Sequence, residues 1–184
     1  GDLTNVIGNN FTGILVGRSL SSHVSQIRLS GIVEGVDYVG GIIGHMEIGS
    51  ISGSFSTVMV MGDDFVGGLI GYVGSPHGPS TIESTFSSGS VSGDQYIGGL
   101  IGRVDDEVSI KANYALGRVS GSYKYGGLLG DCYYCSGDSA ENYWVIDTTG
   151  MATSAYGVNA SGFSIVELQC PTSAGDLACA NEIY

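Results

Sequence analysis

Positive charge is scarce in this chain: six Lys and Arg face 18 Asp and Glu, for a formal net charge of -12. Nucleic-acid binding needs clustered basic residues to neutralise phosphates; none is present, so that class is excluded, and an anionic membrane surface is disfavoured on the same ground. No run of 18 apolar residues occurs, so no segment reads as a membrane-spanning helix and no membrane insertion is expected. No glycine-rich stretch is followed by Lys-Ser or Lys-Thr, which removes the loops that cradle phosphate at a helix start. A regular Thr-x-Thr ladder, which ice binding would call for, is also missing. The chain opens at Gly1 with neither an initiator Met nor a signal peptide, which reads as a mature product or an excised segment.

Glycine is abundant instead, at 32 of 184 residues against an average usage of about 7%. An apolar content of 42% and a mean hydropathy of +0.22 are too hydrophobic for a disordered chain. The glycines also recur in a heptapeptide: Phe65-Val66-Gly67-Gly68-Leu69-Ile70-Gly71 is matched by segments starting at Phe11, Tyr38, Tyr96 and Lys124. The first glycines are Gly13, Gly40, Gly67, Gly98 and Gly126, so the steps are 27, 27, 31 and 28 residues. A fixed period in this range marks a stacked repeat whose units cannot bury their apolar faces alone. Gly, Ser, Thr and β-branched residues disfavour helix within the repeat. The fold class expected is all-β: a β-solenoid of about five coils of 27–31 residues over 11–145, with residues 1–10 as an N-terminal strand or cap and 146–184 as a C-terminal cap. Each coil is expected to hold two or three short strands, with the Gly-Gly pair giving positive φ or close backbone approach at a corner.

The second half of the repeat is equally regular. From the aromatic position (Arg28, Phe55, Phe86, Tyr114) to the closing glycine is always seven residues, and five more reach the next first glycine. Length variation falls between the first glycine and the following Val24, Ile51, Ile82 or Ile110, at intervals of 11, 11, 15 and 12. One corner of the coil therefore carries the variable loops, and Tyr72–Thr81, with Pro76 and Pro79, is expected to project furthest. Stacking at about 4.8 Å would make one ladder of Phe11, Tyr38, Phe65 and Tyr96 and another of Phe55, Phe86, Tyr114 and Tyr143. Both read as core packing, with a sugar-stacking platform as the functional alternative. Ser164 and Glu167 form a capping-box pattern for a short terminal helix.

Four cysteines lie in the last third, and the preferred pairs are Cys132 with Cys135 and Cys170 with Cys179, each closing a short loop. A zinc site is disfavoured because His23, His45 and His77 fall in loops far from them, and no helix context supports redox chemistry. Disulfides imply an oxidising, extracytoplasmic compartment. Calcium is the one cofactor considered: Asp63, Asp64 and Asp94 precede glycine motifs at neighbouring corners, and Asp105, Asp106 and Glu107 form the densest acidic run. A solvated acidic turn is the plainer reading of both.

The element V-G-G-L-I-G followed by I-x-x-S-F-S-x-G-x-V-x-G resembles the GLUG-motif repeats of bacterial surface and secreted proteins, over residues 11–145. Departures from the pattern are Ile14 for the second glycine, Arg28 for the aromatic and Lys124 at the fifth start. The stretch from Asn142-Tyr143-Trp144 to Glu167-Leu168-Gln169-Cys170-Pro171-Thr172 is similar to the segment that often follows such repeats. The resemblance implies an adhesin-like extracellular or cell-surface protein and supplies no catalytic residues. Three functions are carried forward. The first is a non-catalytic structural or adhesive module, self-associating end to end as a filament subunit or stacked on neighbouring repeats of a parent protein. The second is a carbohydrate-binding module, with Tyr72 and Tyr123 as glycan contacts. The third is a β-solenoid polysaccharide lyase or hydrolase, for which Arg18 and Arg103 hold equivalent positions after the heptapeptide while His45, Tyr72 and Asp131 hold them in other coils.

Overall fold

The structure, a computed structural model, describes residues 4–74, 78–105, 107–133, 135, 137–155 and 159–168. The chain winds as a β-solenoid of five coils, visiting five parallel sheets once per coil. The first sheet stacks Thr12–Gly13, Asp37–Gly40, Asp64–Gly67, Gln95–Gly98 and Tyr123–Gly126. The second stacks Val16–Ser19, Ile43–Met46, Ile70–Val73, Ile101–Asp105 and Leu129–Tyr133. The third holds Ser22–Ser25, Gly49–Ser52, Ser80–Glu83, Val108–Lys111 and Ser139–Ala140. The fourth runs through Arg28–Leu29, Phe55–Ser56, Phe86–Ser87, Tyr114–Ala115, Asn142–Val145 and Ala160–Phe163. The fifth begins with Thr4–Ile7 and continues through Gly31–Glu34, Met59–Met61, Val91–Ser92 and Val119–Ser120. The N-terminal segment is thus a strand of a sheet.

Five short strands per coil replace the two or three expected. Each coil carries two left-handed residues, one at the start of or inside its first-sheet strand and one at the break between its third- and fourth-sheet strands. Phe11, Tyr38, Phe65, Tyr96 and Lys124 have φ between 49° and 59°, as do Gln26, Gly53, Ser84, Ala112 and Glu141. The heptapeptide's positive φ therefore falls on its aromatic, not on its glycines, which is a correction. A bulky side chain in this region costs about 1–2 kcal/mol, and each ring-on-ring contact recovers about 0.5–1.5 kcal/mol. The registers Asp37↔Asp64 and Val39↔Val66 skip the aromatic between them, so it bulges outward while the valines point in.

The glycines serve close approach. A Cβ on Gly40 would lie 2.0 Å from the Ile43 carbonyl oxygen, and one on Gly68 2.1 Å from Ser87 Oγ and 2.3 Å from the Gly99 oxygen. In three of the coils the second glycine of the pair meets a small residue across the coil: Gly41 faces Ser56, Gly68 faces Ser87 and Gly99 faces Ala115. Gly127 is covered by the Trp144 indole. This waist separates two cores, one of Ile, Leu and Met under the second and third sheets and one mainly of Val under the fifth and first. In the first coil Leu29 takes the small residue's place by register with Ser56, and Leu29 and Ile14 both pack against the valine core.

A buried polar column stands one residue before the second aromatic position. Asn113 Oδ1 accepts from the Thr85 amide at 2.9 Å and from Thr85 Oγ1 at 2.8 Å; its Nδ2 donates to the Ile82 carbonyl at 3.0 Å and to Asn142 Oδ1 at 3.0 Å. Asn142 Nδ2 donates in turn to the Ile110 carbonyl at 2.7 Å. These contacts satisfy the amides of a corner that no sheet completes.

Residues 146–155 and 159–168 continue the winding. Helix α1 (Ile146–Thr149) is closed by Gly150 in the left-handed region at φ 74°. The Gly127 amide donates to the Thr153 carbonyl at 2.9 Å, the Ala155 amide to the Leu129 carbonyl at 3.1 Å, and Ala160–Phe163 pairs with Asn142–Val145. The capping box expected at Ser164 and Glu167 is present on α2 (Ile165–Leu168): the Ser164 amide donates to Glu167 Oε2 at 2.6 Å, and the Glu167 amide to Ser164 Oγ at 3.2 Å. Cys132 and Cys135 are disulfide-bonded with their Cα atoms 5.8 Å apart. Cys170 and Cys179 lie outside the described residues.

Candidate binding groove on the outer aromatic ladder

Neither aromatic ladder lies in the core, which among the described residues contains no Phe or Tyr; the core-packing reading is corrected here. The outward bulge at each left-handed residue puts Phe11, Tyr38, Phe65 and Tyr96 on the outer surface of the first sheet, half-buried. Their centroids are 4.8 Å apart at each step, with interplanar angles of 17°, 6° and 7°. The second ladder is also external: Phe55, Phe86 and Tyr114 stack at 4.6 and 4.8 Å, and Arg28 lies over Phe55 at 5.1 Å. Arg28 therefore occupies an aromatic's place in register and covers the end of its stack.

Beside the first ladder runs a column from the second sheet. Registers place Arg18, His45, Tyr72, Arg103 and Asp131 side by side, as the sequence spacing implies. Between ladder and column lies a cavity of about 590 Å³, lined by Phe11, Tyr38 and Phe65 on one side and by Arg18, His45, Glu47, Tyr72, Gly74, Arg103 and Asp105 on the other. The Arg18 guanidinium sits 5.5 Å from the Phe11 ring and donates through Nε to Glu47 Oε1 at 2.7 Å and through Nη2 to the same oxygen. Arg103 lies 5.0 Å from the Tyr96 ring, donates through Nε to Asp105 Oδ1 at 2.8 Å and approaches Asp131 at 3.7 Å. Tyr72 Oη donates to Asp105 Oδ2 at 2.9 Å. Three of the chain's six basic residues, Arg18, Arg103 and Lys124, sit along this strip.

His45 is buried against the rings of Phe11 and Tyr38, 5.7 Å from each, and meets Tyr72 edge-on at 4.9 Å. Its Nε2 is 3.5 Å from the Gly74 carbonyl oxygen, and its Nδ1 has no hydrogen-bond partner among the described residues. Burial holds its pKa below the usual 6.5 and Arg18 adds to that, while the Gly74 carbonyl and Glu47 pull the other way. His45 and His23 both stand in strands, not in loops; His77 is outside the described residues.

The two tyrosines singled out as glycan contacts both touch this ladder. Tyr72 is edge-on to Tyr38 and Phe65 at 5.6 and 5.7 Å, and Tyr123 is edge-on to Tyr96 at 6.1 Å. Lys124, which takes the ladder's fifth position, has Nζ 5.6 Å from the Tyr96 ring, 5.8 Å from Tyr123 and 3.0 Å from Asp131. Sequence spacing alone could not join the two tyrosines, because they stand on different sheets.

The acidic candidates divide between two places. Asp63, Asp64 and Asp94 share the corner between the fifth and first sheets, where burial and then Asp37, Asp63 and Asp94 raise the pKa of Asp64. Asp105 belongs to the groove, both its oxygens engaged by Arg103 and Tyr72. Glu107 stands at the corner between the second and third sheets, where its carbonyl accepts from the Ser80 amide, and Asp106 is outside the described residues. Among the described residues no three His, Cys, Asp or Glu side chains are grouped to hold a metal ion.

No protein-family model, curated protein or solved structure matches the chain. The likeness to GLUG-motif repeats rests on the motif residues alone.

Proposed function

We propose that this chain is a non-catalytic adhesive module of an extracellular or cell-surface GLUG-type bacterial protein, and that it binds carbohydrate in the outer groove. The observation that carries this reading is the groove itself: a strip of aromatic edges walled by the Arg18–Glu47 and Arg103–Asp105–Tyr72 networks. Paired guanidinium and carboxylate groups offer donors and acceptors together, the arrangement that sugar hydroxyls use. A catalytic role is disfavoured because Arg18 and Arg103 are held in ion pairs and the groove's imidazole is buried. Screening the intact, non-reduced protein on an array of glycans tests the reading. Binding is expected, lost in Tyr72→Ala and Arg103→Ala and kept in Arg118→Ala, which lies outside the groove; an array silent with the wild-type protein overturns it.

End-to-end association is a second reading, favoured by the first coil. Its strands Thr12–Gly13, Val16–Ser19, Ser22–Ser25 and Arg28–Leu29 each end their sheets, and Leu15 and Leu20 are 45% and 60% exposed. Such an edge suits a second copy or neighbouring repeats of a parent chain.

A further inference from the structure

Resting on the carbohydrate reading above, we propose that the groove takes an uncharged, linear, equatorially linked hexose chain lying parallel to the solenoid axis and spanning about three residues at the 4.8 Å spacing of the coils.

The ladder decides how a sugar can be met. Rings stacked at 4.8 Å cover one another's faces, and the guanidinium of Arg18 and the ammonium of Lys124 lie over the rings at its two ends. A sugar therefore has no bare ring face in the ladder to stack upon. What the groove presents is a row of ring edges, which carry the positive rim of the aromatic quadrupole and attract oxygen. Hydroxyl and ring oxygens, not the C–H face of a pyranose, are the complementary surface.

Charge decides between neutral and acidic chains. Arg18 is matched by Glu47, Arg103 by Asp105 and Asp131, and Lys124 by Asp131. A polyanion would lie against these carboxylates in a molecule of net charge -12. A hydroxyl accepts from a guanidinium and donates to its carboxylate at once, so it joins each pair without breaking it.

Direction follows from the walls. Ladder and column both run along the axis, which closes the groove to a chain crossing it. The coil spacing of 4.8 Å is close to the advance per residue of an extended, equatorially linked hexose chain, so successive sugars meet successive coils. The two polar clusters differ, and their guanidiniums stand three coils apart, Arg18 with Glu47 at one end and Arg103 with Tyr72 and Asp105 toward the other. Only a ligand long enough to span three coil steps reaches both guanidiniums, and its two ends are told apart.

Calorimetry on the full chain with β-1,4-linked glucose oligomers of one to six residues, and with oligogalacturonates of the same lengths, tests this. Affinity for the neutral series is expected to climb to three or four residues and then level off, with the acidic series at least about tenfold weaker. Arg18→Gln and Arg103→Gln are each expected to weaken tetramer binding about tenfold, as loss of a charged hydrogen bond does, while a dimer is affected strongly by one of the two at most. Tyr72→Phe keeps the ring and gives a second reading of the same cluster; melting curves confirm that each variant is folded. Acidic oligomers binding as tightly as neutral ones overturn the uncharged class, and a dimer binding as tightly as a hexamer overturns the axial lie; both leave the carbohydrate reading standing. Silence from both series beside a positive glycan array overturns the ligand class alone, whereas silence from the array as well overturns both.

Discussion

Gly68 and Gly150 make opposite demands on a side chain. At Gly68 the backbone is ordinary, but a Cβ would strike Ser87 Oγ and the Gly99 carbonyl oxygen. At Gly150 nothing lies within 4 Å, yet φ is 74°. Gly68→Ala is expected to cost about 1–3 kcal/mol through a forced shift of the neighbouring coil, and Gly150→Ala about 1 kcal/mol from the left-handed backbone alone. Urea denaturation of the two variants, with a normal denaturant slope, measures the difference. His45 carries the pH dependence at this scale. Its folded pKa is held below 6.5, so the unfolded chain binds the proton more readily. The stability this gives is full above about pH 6.5 and is lost as pH falls from there toward the folded value. Melting temperatures from pH 8 to 5 should show the loss in the wild type and a flatter profile in His45→Gln.

Among the elements, the polar column of Thr85, Asn113 and Asn142 holds the corner between the third and fourth sheets. Asn113→Ala removes the acceptor shared by the Thr85 amide and hydroxyl and the side-chain donor to the Ile82 carbonyl, and leaves Asn142 Oδ1 only the residue-113 amide at 3.3 Å, all inside the protein. The expected loss is about 3 kcal/mol, and Asn113→Asp should not restore it, since an unpaired buried charge replaces the amide; thermal unfolding of both variants decides this. The strand registers were legible in the sequence to the residue. Arg28 stands opposite Phe55, and Arg18, His45, Tyr72 and Arg103 share one column, because the spacings on either side of the one variable loop are constant and leave stacked coils no other alignment. The outward direction of the aromatics was not legible. One left-handed residue breaks the two-residue alternation of a strand, so Asp37 and Tyr38 both face out before Val39 turns in. No pattern of apolar and polar letters records that break, and the candidate groove, which depends on it, was visible only in separate parts: the ladder, the column from Arg18 to Asp131, and the two tyrosines. The small residues opposite three of the second glycines escaped notice because they lie half a coil away in sequence.

At the scale of the molecule, the two ends differ. The first coil exposes sheet edges, whereas residues 153–155 and Ala160–Phe163 lie over the fifth coil. One open end permits pairing or docking at that end and opposes an indefinite fibre. Negative-stain microscopy of the non-reduced protein over a concentration series should show short rods and, at high concentration, rods joined in pairs. Long filaments with a regular axial repeat would mean that the segment over the fifth coil is displaced on assembly.

The direction of the intercoil hydrogen bonds sets how the rod would bear a load. Thr4–Ile7 and α2 stand at opposite ends of the stack, and the backbone bonds between coils run along the line that joins them. A pull between the two ends therefore opens one coil's bonds at a time instead of shearing a whole sheet together. Each release would pay out a coil of 27–31 residues, roughly 90–110 Å of extended chain. Such a tether would yield in instalments at modest force, lengthening under tension while its remaining coils kept their grip.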